Sequence, residues 1–369
     1  MDVAKLINVS HTDLELENMS KERIDMSDTN SMPGRDIVLR FLNRETVPRM
    51  PAFSGMGHVT VTGLEQCKVR FKDVHGDARK MADTAATSHT LYGFDCVVVP
   101  YDLGVEAEAL GATLNPYADS DELLYPTLRD KTVKCADDIV VPEDLENAGR
   151  IPDVCEAIRL LKAELGDRVA VGTYVLGPFV LAGQIMDLNE LLKMPLREPD
   201  EVTKMLDILS KVIIDVCGIY KRAGADYITV REMGSSADIL SPRVFRKLIK
   251  VHLAHIFQNI ESPAVLHICG KTNAIVADMV ECGPDAISVD QKNDLAATRE
   301  QLGPDVLVLG NINPYEILVD GNVDEVRDAV HASVTDGASA VWPGCDVWPS
   351  APAQNMQTFV NTIKENNAK

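Results

Sequence analysis

Three residues of this chain have the chemistry of metal ligands and a spacing that a fold can use. His267 and Cys269 stand two apart in the apolar run Ala264-Val-Leu-His-Ile-Cys. On a strand, residues i and i+2 project from one face, so an imidazole and a thiol point the same way. Cys345 follows Gly344 at the end of a separate apolar run. One nitrogen and two thiolates suit zinc, and three protein ligands leave a fourth position open, as catalytic zinc sites do. Taken alone, His-x-Cys is a weak signal, because a satisfied core histidine beside a buried cysteine is the usual explanation. The second cysteine at another strand end shifts the balance toward Zn2+. The other six cysteines read as small buried hydrophobes of a protein from a reducing compartment. His252 and His255 share a helix face, but no third ligand is near them. Gly55-Met56-Gly57 lacks the helix and third glycine of a dinucleotide fingerprint, and there is no P-loop.

The elements needed to position the three residues are legible as alternating patterns. Short apolar runs begin near Met50, Cys96, Arg168, Asp226, Ala264, Ala286, Val306 and Ala338. Helical periodicity lies between or beyond them, over Asp36 to Asn43, Ala78 to Leu91, Val154 to Leu165, Pro199 to Ala223, Pro242 to Asn259, Ala274 to Cys282, Val323 to Thr335 and Gln354 to Lys364. Short, almost wholly apolar strands alternating with helices predict an α/β fold with a parallel sheet. Eight such runs predict a single (β/α)8 TIM-type barrel over residues 34–369. A long insert separates Tyr101 from Arg168. Residues 1–33 lack periodicity and read as a leader or wrapping arm.

In such a barrel the active site collects at the C-terminal strand ends. Those ends carry Tyr101-Asp102, Tyr174, Arg231-Glu232-Met233, His267 to Gly270, Asp290-Gln291, Asn311-Ile312-Asn313 and Gly344-Cys345-Asp346. Glu232 and Asp290 are the expected catalytic carboxylates. Tyr101, Tyr174, Arg231 and Asn311 are the expected substrate-binding residues. The bland alternative for Tyr101, Glu232, Asp290 and Asn311 is a loop hydrogen bond or helix cap. Glu232 or Met233 is also a candidate fourth metal partner before substrate arrives.

Composition narrows the partners. Lys and Arg total 36 against 56 Asp and Glu, a formal charge of −20, with no basic run. Phosphate-backbone binding needs clustered cations, so neither nucleic acid nor an anionic membrane surface is expected. No apolar stretch is long enough for a membrane span, and the first residues lack a signal peptide's basic start and apolar run. A cytoplasmic location is expected.

The run from Val265 to Gly270, followed by the late Gly344-Cys345, resembles a known family. So do Val47-Pro-Arg-Met-Pro, Gly149-Arg-Ile-Pro, Gly177-Pro-Phe, Ala223-Gly-Ala-Asp, Ile287-Ser-Val-Asp and Leu309-Gly-Asn-Ile-Asn-Pro. Together they resemble the corrinoid-dependent methyltransferases of the uroporphyrinogen decarboxylase superfamily, which include methylcobamide:coenzyme M methyltransferases. The resemblance runs from about Asp36 to the C-terminus and implies a uroporphyrinogen decarboxylase-like barrel. It implies that His267, Cys269 and Cys345 bind zinc. It also implies a partner protein that carries the corrinoid (cobalamin), since this chain lacks the Asp-x-His-x-x-Gly signature of a cobalamin domain. The early arginine-rich motif of true uroporphyrinogen decarboxylases is absent, so decarboxylation is not expected. Two segments depart from the coenzyme M enzymes: Phe53 to Thr60 replaces a Gln-Thr pair, and Arg231-Glu232-Met233 replaces an Asp-Pro.

The implied reaction is zinc-dependent methyl transfer between a corrinoid protein and a small molecule, with methyl-Co(III) corrinoid as donor and a thiol such as coenzyme M as acceptor. The alternative runs the other way, as in an O-demethylase, from a methoxylated aromatic to Co(I) corrinoid.

Overall fold

The computed structural model describes residues 32–367. The expected N-terminal arm, apart from Met32 and Pro33, lies outside the described residues. Six strands form one parallel sheet: β1 (Cys96–Val99), β2 (Ala170–Leu176), β3 (Tyr227–Arg231), β4 (Ala264–Ile268), β5 (Ala286–Val289) and β6 (Val308–Leu309). They pair in sequence order, with helices between them. All residues of these strands are buried, as a sheet covered on its outer face and packed within requires.

The eight expected strands are present as six regular strands and two flanking extended segments. Residues Ala338 to Trp342 lie beside β6, joined by the parallel bridge Leu309–Ala340 and by the Ser339 amide donating to Val308 O at 2.8 Å. The segment Met50 to Phe53 lies beside β1, where the Asp95 amide donates to Ala52 O at 2.8 Å. Pro48 and Pro51 remove amide donors from the first segment, which is why it builds no regular ladder. The seam is filled instead by rings. Phe53 meets Trp342 edge-on at 5.0 Å and Tyr227 at 5.8 Å, and both Phe53 and Trp342 are fully buried. This is a (β/α)8 barrel.

Helices follow the expected pattern where periodicity is strong. Pro199–Ala223 and Val323–Thr335 match the sequence reading residue for residue, and Gly34–Leu42, Ala78–Tyr92, Ile151–Leu165, Val276–Glu281 and Ala353–Lys364 match it within a few residues. Pro242 to Asn259 is one helical run with a π-helical stretch at Phe245–Ile249. The sequence reading missed the helices Val61–Cys67, Val105–Ala109, Pro178–Ile185, Leu188–Arg197 and Leu295–Leu302. It also missed a small antiparallel hairpin, Leu114–Asn115 with Thr127–Leu128, in the insert after β1. No helix among the described residues is long and apolar enough to cross a membrane.

One carboxylate closes the barrel's first turn. Asp95, at the foot of β1, is almost fully buried. It accepts from Arg49 at 2.6 and 2.8 Å and from the Ala52 amide at 2.9 Å, and it pairs with Lys364 of the last helix at 3.0 Å. Three distant segments therefore meet on one side chain. Burial alone would raise its acid constant, but Arg49 and Lys364 outweigh burial and hold the carboxyl below its ordinary range. Removing one partner of a buried pair strands the other charges, so Asp95→Ala should cost about 3–5 kcal/mol, read by urea unfolding. A folded-state value below the unfolded one gives a contribution present above about pH 4 and lost as pH falls further. The stability difference between wild type and Asp95→Ala should therefore shrink below pH 4; a difference that is constant from pH 7 to pH 3 would refute the assignment.

Candidate metal centre

Strand register sets the first ligand. Arg231 of β3 pairs with His267 of β4, and His267 with Ser288 of β5. Side chains in register on parallel strands share a face, so Arg231, His267 and Ser288 form one row inside the barrel mouth. All three are fully buried. Ser288 Oγ lies 3.1 Å from His267 Nδ1, while Nε2 is buried with no hydrogen-bond partner. A buried polar nitrogen without a partner is costly. A metal ion at Nε2 would remove that cost, with Nδ1 oriented by its second contact as metal-bound histidines usually are.

The two cysteines complete the set. One ligand atom each from His267, Cys269 and Cys345 lie within 4.8 Å of one another, and no other group of three such residues does so among the described residues. A tetrahedral zinc with bonds of roughly 2.0–2.3 Å holds its ligands roughly 3.4–3.8 Å apart, so the triad fits with a small contraction. The two sulfurs lie close enough for each to bear on the other's ionisation. That contact draws the Cys345 thiol well below its usual range, with help from His267, and pushes the Cys269 thiol up. Two thiols held this way cannot both ionise unless a cation sits between them. The donor set therefore fits zinc.

Each ligand is braced from behind. The Cys269 loop is held by Asp290, whose Oδ2 accepts from the Gly270 amide at 2.7 Å and Oδ1 from the Lys292 amide at 2.9 Å. The Cys345 loop is held by the next residue, Asp346. Its carboxylate takes two bonds from Arg231, at 3.0 and 2.6 Å, and one from the Gly57 amide at 3.0 Å. Burial would raise Asp346, but the Arg231 charge keeps the carboxyl below its ordinary range. Arg231 also lies over the Tyr174 ring, 4.6 Å from its centroid.

The other expected site residues find specific places. Glu232 is fully buried, but its oxygens accept from the Phe179 and Val180 amides at 3.0 and 3.1 Å and from Ser235 at 3.0 Å. It caps the helix Pro178–Ile185, and the geometry offers no oxygen of it to the triad. Met233 Sδ lies 3.5 Å from Arg231 Nη2. Arg231 gives both Nη atoms to Asp346, while its buried Nε has no partner. Tyr174 is buried and donates to Asp102 O at 3.0 Å. Asn311 donates to Asn293 O at 3.1 Å. Tyr101 donates to Met81 O at 2.8 Å, and its ring lines a cavity of about 400 Å³ that also touches Asp346. His252 contacts Asp207 at 3.2 Å and takes no part in the site.

The sequence reading missed two bracing residues. Ser288 had a signal, a lone polar residue inside an apolar strand. Asp346 had adjacency to Cys345, but its partner Arg231 is 115 residues away. Gly55 is explained by a close approach: a Cβ there would lie 1.9 Å from Thr229 Oγ1. The first-strand segment thus crosses β3 closely enough for Gly57 to reach Asp346.

The profile of the uroporphyrinogen decarboxylase (URO-D) family matches residues 33–366. The chain belongs to this family. Among its relatives, a methylcobamide:CoM methyltransferase MtaA of Methanosarcina barkeri is 30% identical over 329 residues, covering 88% of this chain and 95% of that one. A methylcobamide:CoM methyltransferase MtbA of Methanosarcina acetivorans is 27% identical, covering 89% and 97%. A solved methyltransferase from Methanosarcina mazei superposes with a TM-score of 0.86 at 28% identity, over 91% of this chain and 99% of its own. The chain is an enzyme of the family's methyltransferase branch, as the motif resemblance implied.

Two predictions follow from the bracing. Ser288→Ala frees Nδ1 of His267 and should lower metal affinity about 10–100-fold, measured by competition with a chromophoric chelator. Glu232→Gln should leave metal content unchanged and act on stability instead. Burial pushes the Glu232 carboxyl up to about 7. Its folded value exceeds the unfolded one, so its contribution is full below about pH 4.3 and lost as pH rises toward 7. The variant should flatten that part of the stability profile; loss of metal instead would return Glu232 to the centre.

Proposed function

We propose that this methyltransferase moves a methyl group between a corrinoid carried by a partner protein and a small molecule bound at a zinc ion held by His267, Cys269 and Cys345. The observation that carries the reading is that a ring nitrogen of buried His267 and the sulfurs of Cys269 and Cys345 lie within 4.8 Å of one another, with Nε2 of His267 unpartnered. Zinc with one imidazole and two thiolates is formally neutral and, when bound, deprotonates a thiol arriving at its open position while leaving that sulfur electron-rich, or polarises an ether oxygen there.

The chain's own residues hold this centre in place. Ser288 holds Nδ1 of the His267 ring, so that Nε2 would be left to bind the metal. Asp290 holds the loop of Cys269, and Asp346 with Arg231 holds that of Cys345. The favoured direction is from methylated corrinoid to a thiol, with coenzyme M as the acceptor; relatives named for that acceptor support it. The reverse direction, from a methoxylated aromatic to the corrinoid, draws support from Phe53 to Thr60 and Arg231 to Met233, the segments that depart from the coenzyme M enzymes.

Purified enzyme should contain one zinc per chain. His267→Ala and Cys345→Ala should each lose it, and methyl transfer from methylated corrinoid protein to coenzyme M should fall at least about a hundredfold, beyond the effect of losing an outer hydrogen bond. A His267→Ala enzyme with full transfer and no zinc would end the proposal. Methyl transfer only from methoxybenzoates to Co(I) corrinoid protein would reverse its direction.

A further inference from the structure

Two aromatic side chains are exposed, and they touch. Among the described residues Tyr315 is 46% exposed and Trp348 51%, while every other Phe, Tyr and Trp is buried or half-buried. The two rings meet edge-on with centroids 5.4 Å apart, a favoured arrangement for an aromatic pair. Apolar residues scattered singly over a surface are ordinary, whereas a cluster of them marks a place where something binds. Trp and Tyr are also the residues on which binding energy concentrates at interfaces.

The pair stands on the rim of the barrel mouth. Trp348 is three residues beyond Cys345, and a chain spans at most roughly 3.3–3.6 Å per residue, so the two Cα atoms are within about 11 Å. Tyr315 is in the loop that leaves β6. That loop is joined to the Cys345 loop by the Ile312–Pro343 bridge and by the Gly344 amide, which donates to Ile312 O at 2.7 Å. The backbone is pinned on both sides of the indole. The Val347 amide donates to Gly57 O at 3.1 Å, and Pro349 O accepts from the Val61 amide at 2.7 Å. Val61, 36% exposed, adds aliphatic surface from the first helix after the barrel's opening segment. Tyr315 is held by Asn313, whose Oδ1 accepts from its amide at 3.0 Å. Rings on a fixed backbone lose little freedom when covered, which favours binding.

The position of the pair selects its occupant. The cavity of about 400 Å³ lined by Tyr101, Tyr125 and Asp346 has room for a small molecule, and neither exposed ring lines it. The corrinoid is the reactant that both directions of transfer share. A methyl group passes between cobalt and an atom at the open metal position along one line, so the macrocycle must lie across the mouth with its edge over the rim. That edge carries methyl groups and uncharged amides, which suit two uncharged rings and a valine. We propose that Tyr315 and Trp348 form the surface on which the edge of the corrin macrocycle rests. The inference rests on the methyl-transfer reading for the identity of the occupant and holds for either direction.

The test is equilibrium dialysis of the zinc-loaded enzyme against methylcobalamin in the dark, read by the absorbance of the corrin. Wild type should retain methylcobalamin. Trp348→Ala should weaken retention at least about tenfold with zinc content unchanged. Trp348→Phe should restore most of it, and Tyr315→Ala should weaken it by a smaller factor. A wild type that retains no methylcobalamin, or a Trp348→Ala enzyme that retains it as wild type does, overturns the proposal. Two rival occupants have their own signatures, and either overturns it as well. If the polypeptide of the corrinoid protein covers the pair, Trp348→Ala lowers kcat/KM for that protein while methylcobalamin stays bound. If a second copy of this chain covers it, wild type sediments as a dimer and Trp348→Ala as a monomer. The two proposals fail separately. Trp348-dependent retention of methylcobalamin with no methyl moved in either direction removes only the methyl-transfer reading. Methyl transfer by an enzyme whose methylcobalamin binding ignores Trp348 removes only the surface assignment.

Discussion

A fully buried guanidinium must be paired, and at the mouth of this barrel Arg231 is paired by Asp346 alone among the carboxylates. Much of the site's geometry follows from that requirement. Asp346 is tied by the chain to Cys345, so fixing the carboxylate fixes the thiol. Arg231 is in register with His267, so the same bond links two ligands on different strands. The Gly57 amide joins them from the first segment, across the seam where no regular ladder forms. Removing either charge would leave the other stranded in low dielectric. The pair thus works as a strap across the mouth rather than as a substrate clamp.

The barrel and the triad were legible in the sequence because both depend on local pattern. Apolar runs of strand length and helices with clear periodicity were found nearly where they lie. His267 and Cys269 are two apart on one strand, and Cys345 is flagged by its place at a strand end. The short helices Val61–Cys67 and Val105–Ala109 escaped because each has too few turns to show a period. Arg231 and Glu232 were read as functional because a strand end is where functional residues gather. The long-range partners that give them other duties, Asp346 and the amides of Phe179 and Val180, leave no trace in local spacing. The bland reading of Glu232 as a helix cap is the one its hydrogen bonds match.

Membership of the family and the local geometry support different parts of the functional reading. Family relatives named as methyltransferases indicate the kind of reaction. The unpartnered His267 nitrogen and the two close sulfurs indicate where a metal would sit. Neither identifies the small molecule.

The hairpin in the insert between β1 and β2 is a sheet of its own, and the insert meets the barrel through the Val133–Met186 bridge and through Lys131, which donates to Gly183 O. Lys131 and Tyr125 belong to that insert, whereas the triad and its braces belong to strand ends and their loops. The hairpin and the metal centre are therefore carried by separate parts of the chain. Replacing the hairpin leaves the ligands undisturbed, so paralogues should differ most in this excursion and least along the row Arg231, His267 and Ser288.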